Sequence, residues 1–183
     1  KILLERCLKI EEYADVNEIK EKLCYVAHDF DAEITKSQTS SECDSKYGNL
    51  DEYDEIIISN ERFRCPEILF QPHFCGHSYD GVDQLIMDSI SQCPEEKKTD
   101  LLNNILITGG SSLFLNMAER IERCLKKMPN PPEQFKIHSP KDRQYSVWLG
   151  ASIFASSPTY DQTAISKEEY DDIGISLVCK KCT

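Results

Sequence analysis

Apolar positions along the chain change their spacing several times, and each change marks an element. Val16, Ile19, Leu23, Val26 and Phe30 follow helical spacing. Asp15 suits the N-cap of that helix, and Glu18 three positions on completes a capping-box pattern. Ile56, Ile57 and Ile58 are β-branched and bounded by polar residues, which predicts a strand. Asn60-Glu61 supports a turn into Arg62–Cys65, so the two runs read as a hairpin. Pro66 opens a short helix, PEILF, because proline suits the first helical position. Val82, Leu85, Ile86, Ser89 and Ile90 fall on one helical face, and Pro94 starts a further helix, EEKKTDLL.

The stretch that organises the chain is NNILITGGSSLFLN, from Asn103 to Asn116. Ile105, Leu106 and Ile107 form a short apolar run ended by Thr108, Gly109 and Gly110, which reads as a buried strand. Leu113, Met117, Ile121 and Leu125 then recur at every fourth position, predicting a helix over Leu113–Lys127. Glycine lacks Cβ, so the turn between them can take positive φ and let a ligand approach its backbone. The N–H groups at the following helix start favour anionic or polar groups. A tight turn with no ligand fits the same pattern.

Downstream, PNPP from Pro129 to Pro132 breaks structure. Phe135 and Ile137 suit a strand, and Lys141–Tyr145 is a charged connection. Trp148, Leu149, Ile153 and Phe154 read as a buried helix, with Gly150, Ala151 and Ala155 allowing close packing. SKEE from Ser166 to Glu169 is a capping box, and Gly174 a helix stop. Two segments read as loops. Ala32–Asp51 is serine-rich and without apolar periodicity, with a turn signal at Gly48-Asn49; Phe70–Gly81 carries glycines, proline and aromatics, suggesting a contact patch.

A chain of 183 residues suffices for one domain or two small ones with a real core. Its net charge of −11 argues against an electrostatic grip on nucleic acid. No apolar run approaches the roughly 20 residues of a membrane helix, and the start does not look like a signal peptide. The opening Lys1, with Ile2, Leu3, Leu4 and Leu8 already in helical spacing, reads as a piece of a longer protein. The 9 cysteines are odd in number and scattered, which suggests free thiols in a reducing compartment. Cys179 and Cys182 make one C-x-x-C pair, but a structural zinc site needs four ligands.

Several stretches together resemble the C-terminal half of actin: IKEKLCYVAHDF from Ile19, NERFRCPEILFQP from Asn60, LITGGSSLF from Leu106 and QYSVWLGA from Gln144. The closing ISKEEYDDIGISLVCKKCT is similar as well, and only Ile34–Asp51 lacks clear likeness. The resemblance implies an α/β, actin-like ATPase fold, present in part: a ribonuclease H-like lobe with a small α/β subdomain. About residues 2–76 would form the small outer subdomain, about 77–144 the inner one, and about 145–183 a return into the other lobe. It further implies ATP or ADP with magnesium as ligand. Lys20 and Glu21 would meet ribose and adenine, Gly109 and Gly110 would form the adenosine-side turn, Leu113 and Phe114 would line the adenine pocket, and Gln144 would stand beside it. The groups that hold phosphate and metal in the family precede Lys1, so no catalytic residue is assigned.

The resemblance implies a cytoskeletal, cytoplasmic filament protein whose partners are other actin-like subunits and regulators at a C-terminal groove, with neither nucleic acid nor membrane among them. Departures from the family pattern point elsewhere. Gln144 stands where lysine is usual, and Asn17 where arginine is usual; both weaken the expected nucleotide grip. His77 follows FCG where the family has an apolar tip, and Ser157, Thr163 and Ala164 replace larger apolar residues. These favour a non-polymerising actin-related scaffold, for example in a nuclear remodelling complex. A sugar kinase on the same ATPase fold is disfavoured by NERFRCPE.

Overall fold

The computed structural model describes residues 2–5, 13–48 and 56–181. Lys1, Leu8, Asn49, Asp51 and Cys182, which figure in the sequence reading, lie outside them. The described residues are mixed α/β, mostly helical with two small sheets. The chain divides into two compact units, 1–143 and 144–183.

In the first unit a short helix, α1 (Ile2–Glu5), precedes α2 (Tyr13–Leu23). Helix α2 begins ahead of Asp15, which is therefore inside it and not its N-cap. It also stops at Leu23, short of the predicted Phe30. Other partners claim the backbone beyond: Tyr25 N–H donates to the Arg62 carbonyl at 3.1 Å and Val26 N–H to Leu115 at 3.0 Å. Val26 and Ala27 are buried all the same, so the apolar spacing marks burial achieved by extended chain. Asp29 then caps a separate helix, α3 (Phe30–Thr39), accepting from Ala32 N–H. This helix occupies part of the predicted Ala32–Asp51 loop. Its serines and threonines satisfy themselves locally, as Thr35 and Ser37 hydroxyls donate to the Asp31 and Ile34 carbonyls at 2.8 Å.

Strand β1 (Ser45–Tyr47) pairs antiparallel with β2 (Ile56–Ile58), Lys46 opposite Ile57. The predicted partner of β2, Arg62–Cys65, lies instead in α4 (Glu61–Glu67). Pro66 is inside that helix and does not open one. A proline offers no N–H to the carbonyl four residues back. That carbonyl belongs to Arg62 and accepts from Tyr25, so the helix defect is the docking point for residues 24–26. The Arg62 guanidinium reinforces it, donating to the Leu23 and Cys43 carbonyls at 2.9 and 2.7 Å and lying over the Tyr25 ring.

Helices α5 (Val82–Ser91) and α6 (Glu95–Leu102) follow as predicted and lead into β3 (Ile105–Leu106). Strand β3 pairs in parallel with β4 (Ile137–His138), Ile105 opposite Ile137. Between them runs α7 (Met117–Lys127), whose Met117, Ile121 and Leu125 are buried at every fourth position. Leu113 precedes this helix, in a 3₁₀ turn over Gly110–Leu113, because Asn116 turns left-handed at φ 67° and restarts the chain. One core cluster gathers Val26, Phe70, Ile105, Met117, Ile121 and Leu125; a second gathers Ala27, Cys43 and Phe63. Gly81 permits the approach of α5 to the first cluster, since a Cβ there would lie 2.1 Å from the Phe70 carbonyl oxygen.

A buried ion pair joins the two clusters. Arg120 of α7 donates to both carboxylate oxygens of Glu67, at 2.7 and 3.2 Å, and to the Ala27 carbonyl at 2.7 Å. Glu67 is 0% exposed and Arg120 8%. Gln71 donates a further bond to Glu67 at 2.8 Å, and the guanidinium lies over the Phe70 ring.

The second unit is helical: α8 (Ser146–Ala155), α9 (Tyr160–Thr163), α10 (Lys167–Ile173) and α11 (Ser176–Lys181). The Ser166–Glu169 capping box is present and Gly174 ends α10 at φ 74°. Lys181 clasps α11 to both oxygens of Glu169 and to the Ala164 carbonyl, each at 2.8 Å. The predicted burial of α8 is not observed: Trp148 is 68% exposed and Ile153 74%. The helix is apolar nearly all round, and Phe154 meets Tyr160 edge-on at 5.8 Å within its unit.

Removing Arg120 while leaving Glu67 strands a buried carboxylate, which costs about 3–5 kcal/mol. Arg120→Met in the full chain is expected to lose that much in denaturant unfolding, and Arg120→Met with Glu67→Gln to recover part of it. Burial already pushes the Glu67 carboxyl up from its ordinary value, with Gln71 and Arg120 pulling against it. A carboxyl whose folded value lies above its unfolded value supports the fold when protonated and loses that support as pH rises. The Arg120→Met deficit should therefore shrink as pH is lowered through the acid range; a deficit independent of pH would contradict this account.

Candidate functional site

Gly109 sits at φ 89°, in the region that side chains rarely adopt, and begins the turn. A Cβ on Gly110 would meet nothing within 4 Å, and the same is true at Gly109, so this backbone is uncovered. The turn is nonetheless rigidly tied. Ser112 N–H and hydroxyl both bond the Gly109 carbonyl, at 3.1 and 2.7 Å. Gly109 N–H donates to the Arg143 carbonyl at 2.9 Å. The Arg143 guanidinium returns bonds to the Ser112 carbonyl and hydroxyl at 3.0–3.1 Å. Ser112 and Arg143 were not among the predicted site residues. Ser112 carried a readable signal, a hydroxyl three residues after a glycine carbonyl; Arg143 sat in an unremarkable charged connection and carried none.

The same turn leads directly to the place where the end of α2 docks. Tyr25 forms a parallel bridge to Leu115, and the Asn116 side-chain amide donates to the Val26 carbonyl at 3.2 Å. Lys20 and Glu21 lie in the last turn of α2, one turn before this bridge. Asn17 links them, donating to the Glu21 carboxylate at 2.9 Å and accepting from the Lys20 ammonium at 2.7 Å. Glu21 is exposed and Lys20 half-buried. Asn17 thus has a role of its own, fixing both neighbours in place of the arginine expected there.

The other predicted residues divide. Leu113 is 40% exposed beside the glycine turn. Phe114 is partly buried and packs against the first core cluster. Gln144 is exposed and is the first residue of the second unit. An apolar cavity of about 560 Å³ bordered by α1, α2 and α4 shares only Lys20 with these residues. Among the described residues no group of three His, Cys, Asp or Glu is placed to hold a metal ion, and no helix is long and apolar enough to cross a membrane. Their cysteines are all free thiols.

The arrangement offers an exposed carboxylate, an ammonium and a bare, braced stretch of main chain on adjoining segments. It supplies hydrogen-bond acceptance and flat apolar contact. The sequence matches the family model for actin over residues 7–183, nearly the whole chain. The chain belongs to the actin family.

Proposed function

We propose that this chain is an actin-like protein whose glycine turn and α2 terminus bind the adenosine of ATP or ADP. The supporting observation is the uncovered backbone at Gly109 and Gly110, held still by Ser112 and Arg143. A Cβ would fill the space that an adenosine face needs. Glu21 is the acceptor for a ribose hydroxyl, Lys20 its cationic neighbour, and Leu113 an apolar edge for the base. Phosphate and magnesium contacts belong to groups outside these residues, and any slow ATP hydrolysis belongs to them too. In this reading the protein works in the cytoplasm as a filament subunit or filament-associated member of the cytoskeleton, with actin-like subunits and groove-binding regulators as partners.

A second reading, a non-polymerising scaffold subunit of a multiprotein complex in the nucleus, draws support from residues 73–80. They are exposed, and His77 stacks on Tyr79 at 4.9 Å, giving the loop a polar aromatic tip. Phe74, the apolar residue there, leans against Phe30 of its own unit at 5.4 Å.

Gly110 separates ligand contact from folding, since its Cβ would strike nothing. Gly110→Val in the full-length protein is expected to keep its melting temperature within a few degrees while losing tenfold or more in affinity for a fluorescent ATP analogue. Glu21→Gln should cost about 1.5 kcal/mol of binding, roughly tenfold, by removing a charged acceptor. Unchanged affinity in both variants would overturn the adenosine assignment. Sedimentation of the full-length protein in magnesium and salt decides between the two biological readings: robust pelleting counts against the scaffold, and its absence against the filament subunit.

A further inference from the structure

The apolar cavity of about 560 Å³ is lined by Ile19, Ile58 and Phe74, and three of its wall groups are thiols, Cys24, Cys65 and Cys75. Their meeting is built into the fold. Leu23 and Tyr25, which flank Cys24, are both hydrogen-bonded to Arg62. Cys65 lies three residues after Arg62, one helical turn along α4. The two thiols consequently border the same cavity from adjoining segments. Both are half-buried and free. We propose that Cys24 and Cys65 form a redox-active dithiol, a modification site at the cavity wall that hydrogen peroxide converts to an intramolecular disulfide.

The two sulfurs are not equivalent. The neighbouring Cys24 thiol, with the Lys20 charge, brings Cys65 down to about 7, against the burial that would raise it. The Cys65 sulfur beside it, together with burial, holds Cys24 well above the ordinary thiol value. Cys65 is therefore the attacking thiolate and Cys24 the resolving thiol. The Cys65 thiolate takes one oxygen from hydrogen peroxide, breaking the O–O bond and releasing hydroxide, to give a sulfenic acid. Cys24 then attacks that sulfur, the S–O bond breaks, and hydroxide leaves as the S–S bond forms. The thiol protons neutralise the hydroxides, so two thiols and one peroxide give one disulfide and two waters. The remaining thiol of the cavity wall, Cys75, is exposed and has no such partner role in the step.

The test is a non-reducing peptide map of the full-length wild-type protein after graded hydrogen peroxide and alkylation of residual thiols. The expected result is a Cys24–Cys65 linked peptide, two hydrogens lighter than its parts and released by dithiothreitol. Cys65 should lose its alkylation several-fold faster than Cys75 or Cys179. In Cys24→Ser the Cys65 sulfenic acid should persist and be trapped by dimedone; in Cys75→Ser the link should still form. Cys24 and Cys65 remaining alkylatable at peroxide levels that oxidise Cys75 would overturn the proposal, as would a link from Cys65 to Cys75 in place of Cys24. The wild-type map decides the matter even where a variant fails to fold.

Discussion

The Arg120–Glu67 pair fixes three remote segments to one another. The guanidinium sits on α7, the carboxylate on α4, and the third partner is the Ala27 carbonyl in the extended stretch after α2. Each is taken out of water, so each needs the others: a lone buried guanidinium or carboxylate is far costlier than a mutually bonded set. The pair therefore ties α4 to α7 through directional bonds, which apolar contact alone does not supply. No buried side-chain nitrogen or oxygen among the described residues lacks a partner, which is the condition under which such a polar centre supports a fold.

That packing also delivers the site. Because Ala27 is held at α7, Val26 and Tyr25 are drawn alongside Leu115 and Asn116, and the end of α2 arrives next to the segment leaving the glycine turn. Asn17, Lys20 and Glu21 ride on that helix, one turn earlier. Membership in the actin family makes actin-like partners plausible, and the turn leaves its main chain open beside the end of α2. A backbone that is open to a ligand yet braced by bonds at Gly109 and Ser112 has less to reorganise on binding.

Where sequence reasoning succeeded, the signal was local. The glycine turn, α5, α6, the Ser166 capping box and the Gly174 stop each depend on neighbours within a few residues. Where it failed, a distant partner overrode local preference. Residues 24–27 have helical spacing but extend, because Arg62 and Leu115 bond them. Pro66 looks like a helix start, but the carbonyl it leaves open has a use only when Tyr25 is present. Helix α8 is apolar enough to suggest burial, yet hydrophobicity does not say that a cover exists within the same stretch of chain. The catalogue of predicted binding residues was mostly a product of family likeness; only the glycines were legible from the physics of their own positions.

The stretch from Leu23 to Ala27 has a consequence for how the first unit assembles. Its partners stand 39, 90 and 93 positions away along the chain. Helices such as α5 and α6 can condense from nearby residues in any order, but this stretch gains nothing until loops of that length have closed. Closure entropy grows slowly with loop length, yet it is lost before any of these bonds forms. The surface beside the glycine turn thus matures only once these distant segments have met, and nascent chains whose α7 has not yet been synthesised hold Val26 and Ala27 exposed to whatever apolar surface they meet.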